Sequence, residues 1–347
     1  MFNHNLLFSG ARCSIREASG RIQALTLFMG IAMLPFTSKA QSQDSLAKKV
    51  TEFTADKFAE RRPFSIDYKQ YGNYNSSSTL RGQDLPDGKF TKWSQLSASA
   101  NINLFQNRRW LVQANGFYRY VSAEYNFPTS TTATSQTVSR DLHYHTEGLN
   151  LTYFSKLFGK TAIYSGSINI DWSERSLERV RGVFTGAIVL KANNRTKINV
   201  GILYSTDPGM FIRVIPTLLY EHKFNESLTA DVFFPRYAYL RKKVFGNGRF
   251  SAGWELDPQT TFFLNDLDEN GTTYQYRQVD VNTGLLYEHI LPGSIILSLR
   301  AGVRINPYAR TFEKDRSFTD YTWEGRADAA PYLNIGFSFN PFAKPKK

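Results

Sequence analysis

Residues 95–104 read QLSASANINL, and polar and apolar side chains alternate through the whole stretch. The even-numbered positions from Leu96 to Leu104 are apolar, whereas the odd-numbered positions from Gln95 to Asn103 are polar. A period of two residues is typical of a β-strand with one apolar and one polar face. The stretch therefore predicts a strand that is buried on one side only.

The same alternation recurs from residue 64 to the end of the chain, for example over 162–173 and 295–306. One pair of candidate strands, 228–235 and 237–244, is shorter than the roughly 9–11 residues that a tilted membrane-spanning strand needs. The count is therefore fourteen strands with this pair and twelve without it. The predicted strands are 64–74, 90–105, 110–126, 141–155, 161–173, 180–191, 196–205, 211–222, 228–235, 237–244, 249–264, 274–289, 294–306 and 329–341.

The connections between these strands alternate in length. Short polar turns such as 106–109 and 291–293 take turns with longer polar segments such as 75–89 and 307–328. Transmembrane barrels have this asymmetry, with short periplasmic turns and long extracellular loops. A soluble β-sandwich would also alternate along its strands but would not need it. We predict an all-β fold, an antiparallel transmembrane β-barrel of 12–14 strands.

Composition fits this fold class. The chain has 347 residues, of which 41% are hydrophobic and 15% aromatic, yet its mean hydropathy is −0.38. That combination excludes a disordered chain and a helical membrane bundle. Aromatic residues such as Trp110 and Trp172 stand near predicted strand ends, where rings form girdles at the two membrane interfaces.

An apolar run from Ile22 to Leu34 follows several arginines and precedes Ser38-Lys39-Ala40. The run is too short for a membrane-spanning helix, which needs about 20 residues. It also lacks the amphipathic stripe of a buried helix in a soluble domain. A basic segment, a short apolar segment and a small-residue end are typical of a secretory signal peptide, here residues 1–40.

The segment 41–62 has helical character, because Leu46, Val50 and Phe53 repeat with a period near 3.6. Three interpretations remain open for it: a short periplasmic helix, a plug inside the lumen, or a loosely ordered leader. We assign 41–62 as a helical or disordered periplasmic leader, 63–342 as the barrel and 343–347 as a basic tail.

Charge and cysteine content restrict the partners. The net charge of +12 becomes +9 without residues 1–40, which contain four Lys or Arg and one Glu. The single cysteine, Cys13, also lies there, so the mature chain offers neither disulfides nor cysteine metal sites. The basic residues are scattered, which argues against nucleic acid. We expect outer-membrane lipid and glycolipid, and small anionic solutes, as partners.

The terminal stretch 332–342, YLNIGFSFNPF, together with the signal peptide and the long alternation, resembles Gram-negative outer-membrane β-barrel proteins. The stretch 234–240, FPRYAYL, is more narrowly similar to outer-membrane barrels of the Bacteroidetes type. The resemblance implies an outer-membrane location and recognition of a terminal aromatic residue by the barrel-assembly machinery. In this chain that residue would be Phe339 or Phe342, followed by 343–347.

Strand parity predicts which charged side chains point into the lumen. A lumen lined by them can pass water and solute with a modest preference for anions, or can be closed by its own ion pairs. We therefore predict a porin-like channel or transport barrel, with a closed structural or surface-interaction barrel as the alternative. The predicted lumen-lining residues are Asp67, Lys69, Arg119, Asp171, Arg213, Arg249, Glu255, Asp280, Arg300 and Arg304.

Two further chemistries have less support. His143 and His145 share one face of a strand and are candidates for a metal site, but that face continues into lipid-facing Leu149 and Leu151. A membrane-embedded hydrolase would need convergent Ser, His and acidic groups. The sequence contains neither Gly-x-Ser-x-Gly nor His-Glu-x-x-His. We predict no enzyme activity and no cofactor.

Overall fold

The structure, a computed structural model, describes residues 46–128, 135–268, 270–343 and 345. The predicted signal peptide 1–40 lies outside these residues and stays a prediction. In the part of the chain that the structure describes, one helix, α1, is followed by a 3-10 turn at Ala59–Arg61 and by sixteen strands. The bounds are α1 Leu46–Lys57, β1 Phe64–Tyr71, β2 Tyr74–Leu80, β3 Gln83–Gln106, β4 Trp110–Pro128, β5 Ser135–Leu157, β6 Lys160–Trp172, β7 Leu177–Ala192, β8 Thr196–Ser205, β9 Val214–Lys223, β10 Leu228–Phe234, β11 Tyr237–Val244, β12 Gly248–Leu264, β13 Tyr274–Leu291, β14 Ile295–Glu313, β15 Tyr321–Ala327 and β16 Ala330–Phe339.

Fourteen of the strands close into one antiparallel ring. Each strand from β3 to β14 pairs with the next, β14 pairs with β16, and β1 joins β16 to β3. The short strands β10 and β11 belong to this ring, with Asp231 opposite Tyr239. The predicted antiparallel β-barrel is therefore confirmed, and the higher of the two strand counts is correct.

Several predicted loops are partly strand. The loop predicted at 307–328 begins with a continuation of β14 to Glu313 and contains β15, and the one at 75–89 consists largely of β2 and the start of β3. β2 pairs with both β3 and β15, and β15 also pairs with β14. In these prolongations, strand pairing satisfies the backbone N–H and C=O groups beyond the part of the barrel whose outer surface is apolar. No lipid imposes a period of two there, so the pattern that marks the spanning strands is lost.

The outer surface of the ring is apolar. Leu149, Leu151 and Ile168 expose about half or more of their surface there, as do Leu285 and Leu299 of neighbouring strands β13 and β14. Side chains at alternating positions of the same strands point inward and include Asp171 and Arg304, both almost completely buried. The barrel is thus apolar outside and polar inside, as a barrel that faces lipid requires. Among the described residues, no helix is both long and apolar enough to cross a membrane.

The outer belt gives a first prediction. Leu285 is 58% exposed and lies near the middle of the part of β13 that the belt surrounds. Leu285→Arg is expected to lower the unfolding free energy in lipid vesicles by about 2–4 kcal/mol, because the guanidinium would face hydrocarbon. Denaturant titration of vesicle-embedded protein measures it. Thr319→Arg, in the exposed connection after β14, is the control, and an equal loss in both variants would contradict a lipid-facing belt.

The described part of the segment predicted as the leader, residues 46–62, enters the barrel. Leu46 and Ala47 of α1 pack with Leu111 and Phe154, which point inward from β4 and β5. At the other end of the helix, the Phe58 ring lies 5.5 Å from the Phe233 ring. Leu111 and Phe154 lie near the short turns, so α1 enters the lumen at the end of the barrel that carries them. Phe233 lies next to the opposite end of β10, so the chain after α1 reaches deeper into the lumen.

Candidate functional site

The interior of the barrel is the candidate site, and its first layer holds α1 in place. The Lys57 ammonium lies 2.5 Å from a carboxylate oxygen of Glu221 and 2.8 Å from one of Asp231, both nearly buried. Arg249 of β12 lies 3.0 Å from Asp56 and 2.6 Å from Glu288. Ion pairs thus connect α1 to three strands of the wall, β9, β10 and β12, in addition to its apolar contacts.

Arg62 fixes the chain where it leaves α1. Its guanidinium is 1% exposed and donates hydrogen bonds to Glu288 at 2.7 Å, to the Ser338 hydroxyl at 2.8 Å and to the Ala55 carbonyl at 3.0 Å. One buried cation therefore joins α1 to β13 and β16. Such a group stabilises only while its partners stay in place, since a buried charge is costly without them.

A section of the lumen lined by polar residues lies between α1 and the half of the barrel that carries the long connections. It contains a cavity of about 120 Å³, room for only a few water molecules. Asp257 of β12 pairs across it with Lys69 of β1 at 3.3 Å and with Arg119 of β4 at 3.3 Å. Arg300 pairs with Glu255 at 2.7 Å. Since β4 and β12 stand on nearly opposite sides of the ring, the Arg119–Asp257 pair crosses the lumen itself, whereas Arg300 of β14 and Glu255 of β12 are only two strands apart.

The half of the barrel beyond this section is filled by a buried cluster that we term the aromatic layer. β5 and β12 are seven strands apart in either direction around the ring. Nevertheless, the ring centroids of Tyr144 and Phe263, from these two strands, lie 6.4 Å apart. Opposite walls therefore meet through aromatic side chains. The aromatic layer consists of Tyr71, Tyr74, Phe90, Trp93, Tyr125, Tyr144, Phe262, Phe263, Tyr274, Tyr276, Trp323 and Tyr332.

Arg304 connects the polar section to the aromatic layer. Its guanidinium carbon lies 4.3 Å from the centroid of the Tyr74 ring and 4.7 Å from that of Tyr71. Asp280 lies 3.7 Å away and supplies the opposite charge. Cation–π contacts of this kind are strongest where water is excluded. The buried charge is thus compensated on both sides.

A second charged network lies at the end with the long connections. Asp171 of β6 is completely buried and lies 2.9 Å from both Arg179 and Arg181 of β7. Arg179 also lies 2.6 Å from Asp207, in the connection between β8 and β9, and Asp207 lies 2.5 Å from Arg277 of β13. Burial alone would raise the pKa of the Asp207 carboxyl, but Arg277 and Arg179 outweigh it and hold that pKa below its usual value. The network draws the connection inward over the mouth.

Most of the predicted lumen residues have a partner in the interior. Asp67 accepts a hydrogen bond from Asn334 at 2.9 Å, and the ion pairs above include Lys69, Arg119, Asp171, Arg249, Glu255, Asp280, Arg300 and Arg304. Arg213 is the exception and corrects the prediction. It is exposed and precedes β9, which begins at Val214, so strand parity does not apply to it.

Five residues that hold α1 were not predicted from the sequence, namely Lys57, Arg62, Glu221, Asp231 and Glu288. Glu221, Asp231 and Glu288 alternate with outward apolar residues in the same way as the residues that were selected. Parity therefore contained the signal for these three. Lys57 and Arg62 lie outside the strands and carry no comparable signal.

The candidate metal ligands lie on the outer face and have different partners. The His143 ring and the Tyr118 hydroxyl share a hydrogen bond of 2.8 Å, and His143 lies 3.6 Å from Glu174. The His145 ring stacks on Trp172 with centroids 5.7 Å apart. Within the described ranges, no group of three or more His, Cys, Asp or Glu side chains is placed to hold a metal ion.

Solved structures with a similar fold are outer-membrane barrels. An outer membrane channel from Pseudomonas putida F1 has 8% identity and a TM-score of 0.32, over 79% of this chain and 95% of that one. The transport unit of the autotransporter AIDA-I from Escherichia coli has 10% identity and a TM-score of 0.30, over 93% and 98%. A Pseudomonas aeruginosa FadL homologue has 8% identity and a TM-score of 0.31, over 80% and 89%.

No protein-family profile matches the chain, and no curated protein sequence is significantly similar to it. The likeness to solved structures concerns the barrel architecture alone.

Proposed function

We propose that the protein is an outer-membrane transport barrel that is closed at rest and that passes small anionic solutes after α1 moves. The apolar belt supports the membrane location, and the side with the short turns and α1 is assigned to the periplasm. A mature Bacteroidetes-type outer-membrane protein, exported by residues 1–40, fits this location. Transport rather than catalysis is the proposed role.

One observation carries the transport proposal. A polar section with its own cavity lies between α1 and the aromatic layer, and its walls carry Lys69, Arg119 and Arg300. A barrel that is only a scaffold has no need to keep a polar section with a cavity between two closures. Lys57, Arg236 and Arg241 also line the cavity, so it has six cations against five carboxylates, and this excess of one positive charge favours anions. The carboxylates are Glu60, Asp67, Glu255, Asp257 and Glu288.

The aromatic layer favours a second candidate, a permanently closed barrel with a structural or surface-interaction role. Tyr144 and Phe263 bring opposite walls into contact, and a dense apolar cluster resists the entry of water. In this candidate the interior ion pairs serve only to stiffen the wall. The two candidates differ in what happens when α1 is removed.

A measurement of solute flux distinguishes the transport barrel from the permanently closed barrel. The mature chain and a variant lacking residues 46–57 are reconstituted in liposomes, and swelling is followed in isosmotic solutions of small anionic and neutral sugars. Transport predicts slow swelling for the full chain and faster swelling for the variant, most of all with anions. Lys57→Gln, which breaks the pairs with Glu221 and Asp231, should act in the same direction with the chain otherwise intact.

Lys48→Gln is the matched control, because the Lys48 side chain is only partly buried, 36% exposed, and pairs at 3.9 Å with Glu52 of the same helix. It should swell like the unmodified chain. Well-folded, heat-modifiable variants that all remain impermeable would refute transport and establish the permanently closed barrel.

A further inference from the structure

A second cavity, of about 240 Å³, opens beside α1 at the end with the short turns. We term its cationic lining the basic mouth. The basic mouth consists of Lys57, Lys197, Lys223, Arg241, Lys243 and Arg249, against which the same lining offers Asp56 and Glu221. Cations are therefore in clear excess around a space that a small anion can enter.

The strand register brings these cations together on one stretch of wall. Lys243 of β11 lies directly opposite Arg249 of β12. Lys223 of β9 lies opposite Thr229 of β10, which in turn lies opposite Arg241 of β11. Neighbouring strands are about 4.8 Å apart, so their like charges repel across the pairs. A wall built in this way is destabilised unless an anion lies between the charges.

Some of these cations already have carboxylate partners. Arg241 lies 2.7 Å from Asp231, and Lys197 lies 2.9 Å from Glu221. Within the part of the chain that the structure describes, Lys223 and Lys243 form no ion pair with a carboxylate. Two cations therefore face this cavity with their charge uncompensated, while their neighbours are fixed in position.

We propose that the basic mouth is a binding site for a small multiply charged phosphate-bearing anion. Lys223 and Lys243 would supply the charge that the anion neutralises, and Arg249 would offer planar donors to its oxygens. Because Arg249 also holds Asp56 of α1, an anion bound there competes with α1 for the same guanidinium. The basic mouth would then be the entrance for the solute, and this role rests on the proposed transport function.

Calorimetry on the mature chain in detergent micelles tests the site, with pyrophosphate and inorganic phosphate as probes at low ionic strength. Pyrophosphate should bind, more tightly than phosphate, and affinity should fall with added salt. Lys223→Gln and Lys243→Gln should each weaken binding about tenfold, the loss of one charge-assisted contact. Lys242→Gln should leave it unchanged, because Lys242 belongs to the same strand but alternates to the outer face.

Lack of pyrophosphate binding by the unmodified chain, or equal weakening in the Lys242 variant, would overturn the proposal. The same titration with a short-chain phosphatidylglycerol tests a lipid as the ligand, since its headgroup also carries a phosphate. Lipid binding that depends on Lys223 and Lys243, without pyrophosphate binding, would overturn a free solute as the ligand. Binding in micelles needs no open lumen, so it can succeed even if the flux experiment refutes transport.

Discussion

Arg62→Ala is expected to lower the unfolding free energy of the barrel in lipid vesicles by about 3 kcal/mol. The substitution removes a buried cation that serves Glu288, Ser338 and the Ala55 carbonyl at once. Breaking a buried ion pair costs about 3–5 kcal/mol because the other charge stays behind. The loss of unfolding free energy should lie at the lower end of this range, since Arg249 continues to neutralise Glu288. Denaturant unfolding followed by tryptophan fluorescence measures the change.

Arg316→Ala is the matched control for Arg62. Its guanidinium is 67% exposed and pairs at 3.7 Å with Glu313, three residues away. Exposed pairs contribute little, so stability should change by less than about 0.5 kcal/mol. Protease access to residues 46–57 should also rise in the Arg62 variant alone. Equal stability of the two variants would contradict the anchoring of α1 through Arg62.

Asp171→Asn is expected to destabilise the opposite end of the barrel by about 3–5 kcal/mol. Asp171 is completely buried between Arg179 and Arg181 and accepts a hydrogen bond from the Tyr144 hydroxyl at 2.8 Å. The amide keeps the shape of the side chain but leaves the two guanidinium groups with less negative charge nearby. The same unfolding measurement reports the change.

Asp84→Asn, in an exposed part of β3, is the control for Asp171 and should be nearly neutral. Asp171 and Arg62 share no contact partner, so a double variant should lose close to the sum of the two single losses. A loss for Asp171→Asn no larger than for Asp84→Asn would show that the charged network does not hold the mouth together.

The ring of strands was predictable because lipid on one side and polar groups on the other impose a period of two. Even β10 and β11, which are short, keep this pattern through Asp231 and Tyr239. The β2–β3 hairpin and β15 were not predicted as strands, because they lie beyond the belt, where pairing alone determines the structure. Arg213 shows the same limit, since parity has meaning only inside a strand.

The interior was predictable in part. Parity identified which charged residues point inward but not which of them meet, because the partners come from strands on opposite sides, as with Arg119 and Asp257. Nor does parity reveal that Tyr144 and Phe263 touch across the lumen. The shape of the ring's cross-section determines such contacts, and no local pattern encodes it. The position of α1 depends on the same long-range pairs.

Planar-bilayer recording of the purified mature chain tests whether the lumen is closed at rest and opens when α1 is released. We expect no steady conductance for the unmodified chain and anion-selective openings for the variant lacking residues 46–57. A steady ohmic pore in the unmodified chain would contradict closure by α1 and the aromatic layer. Silence of the correctly folded deletion variant would contradict opening by release of α1.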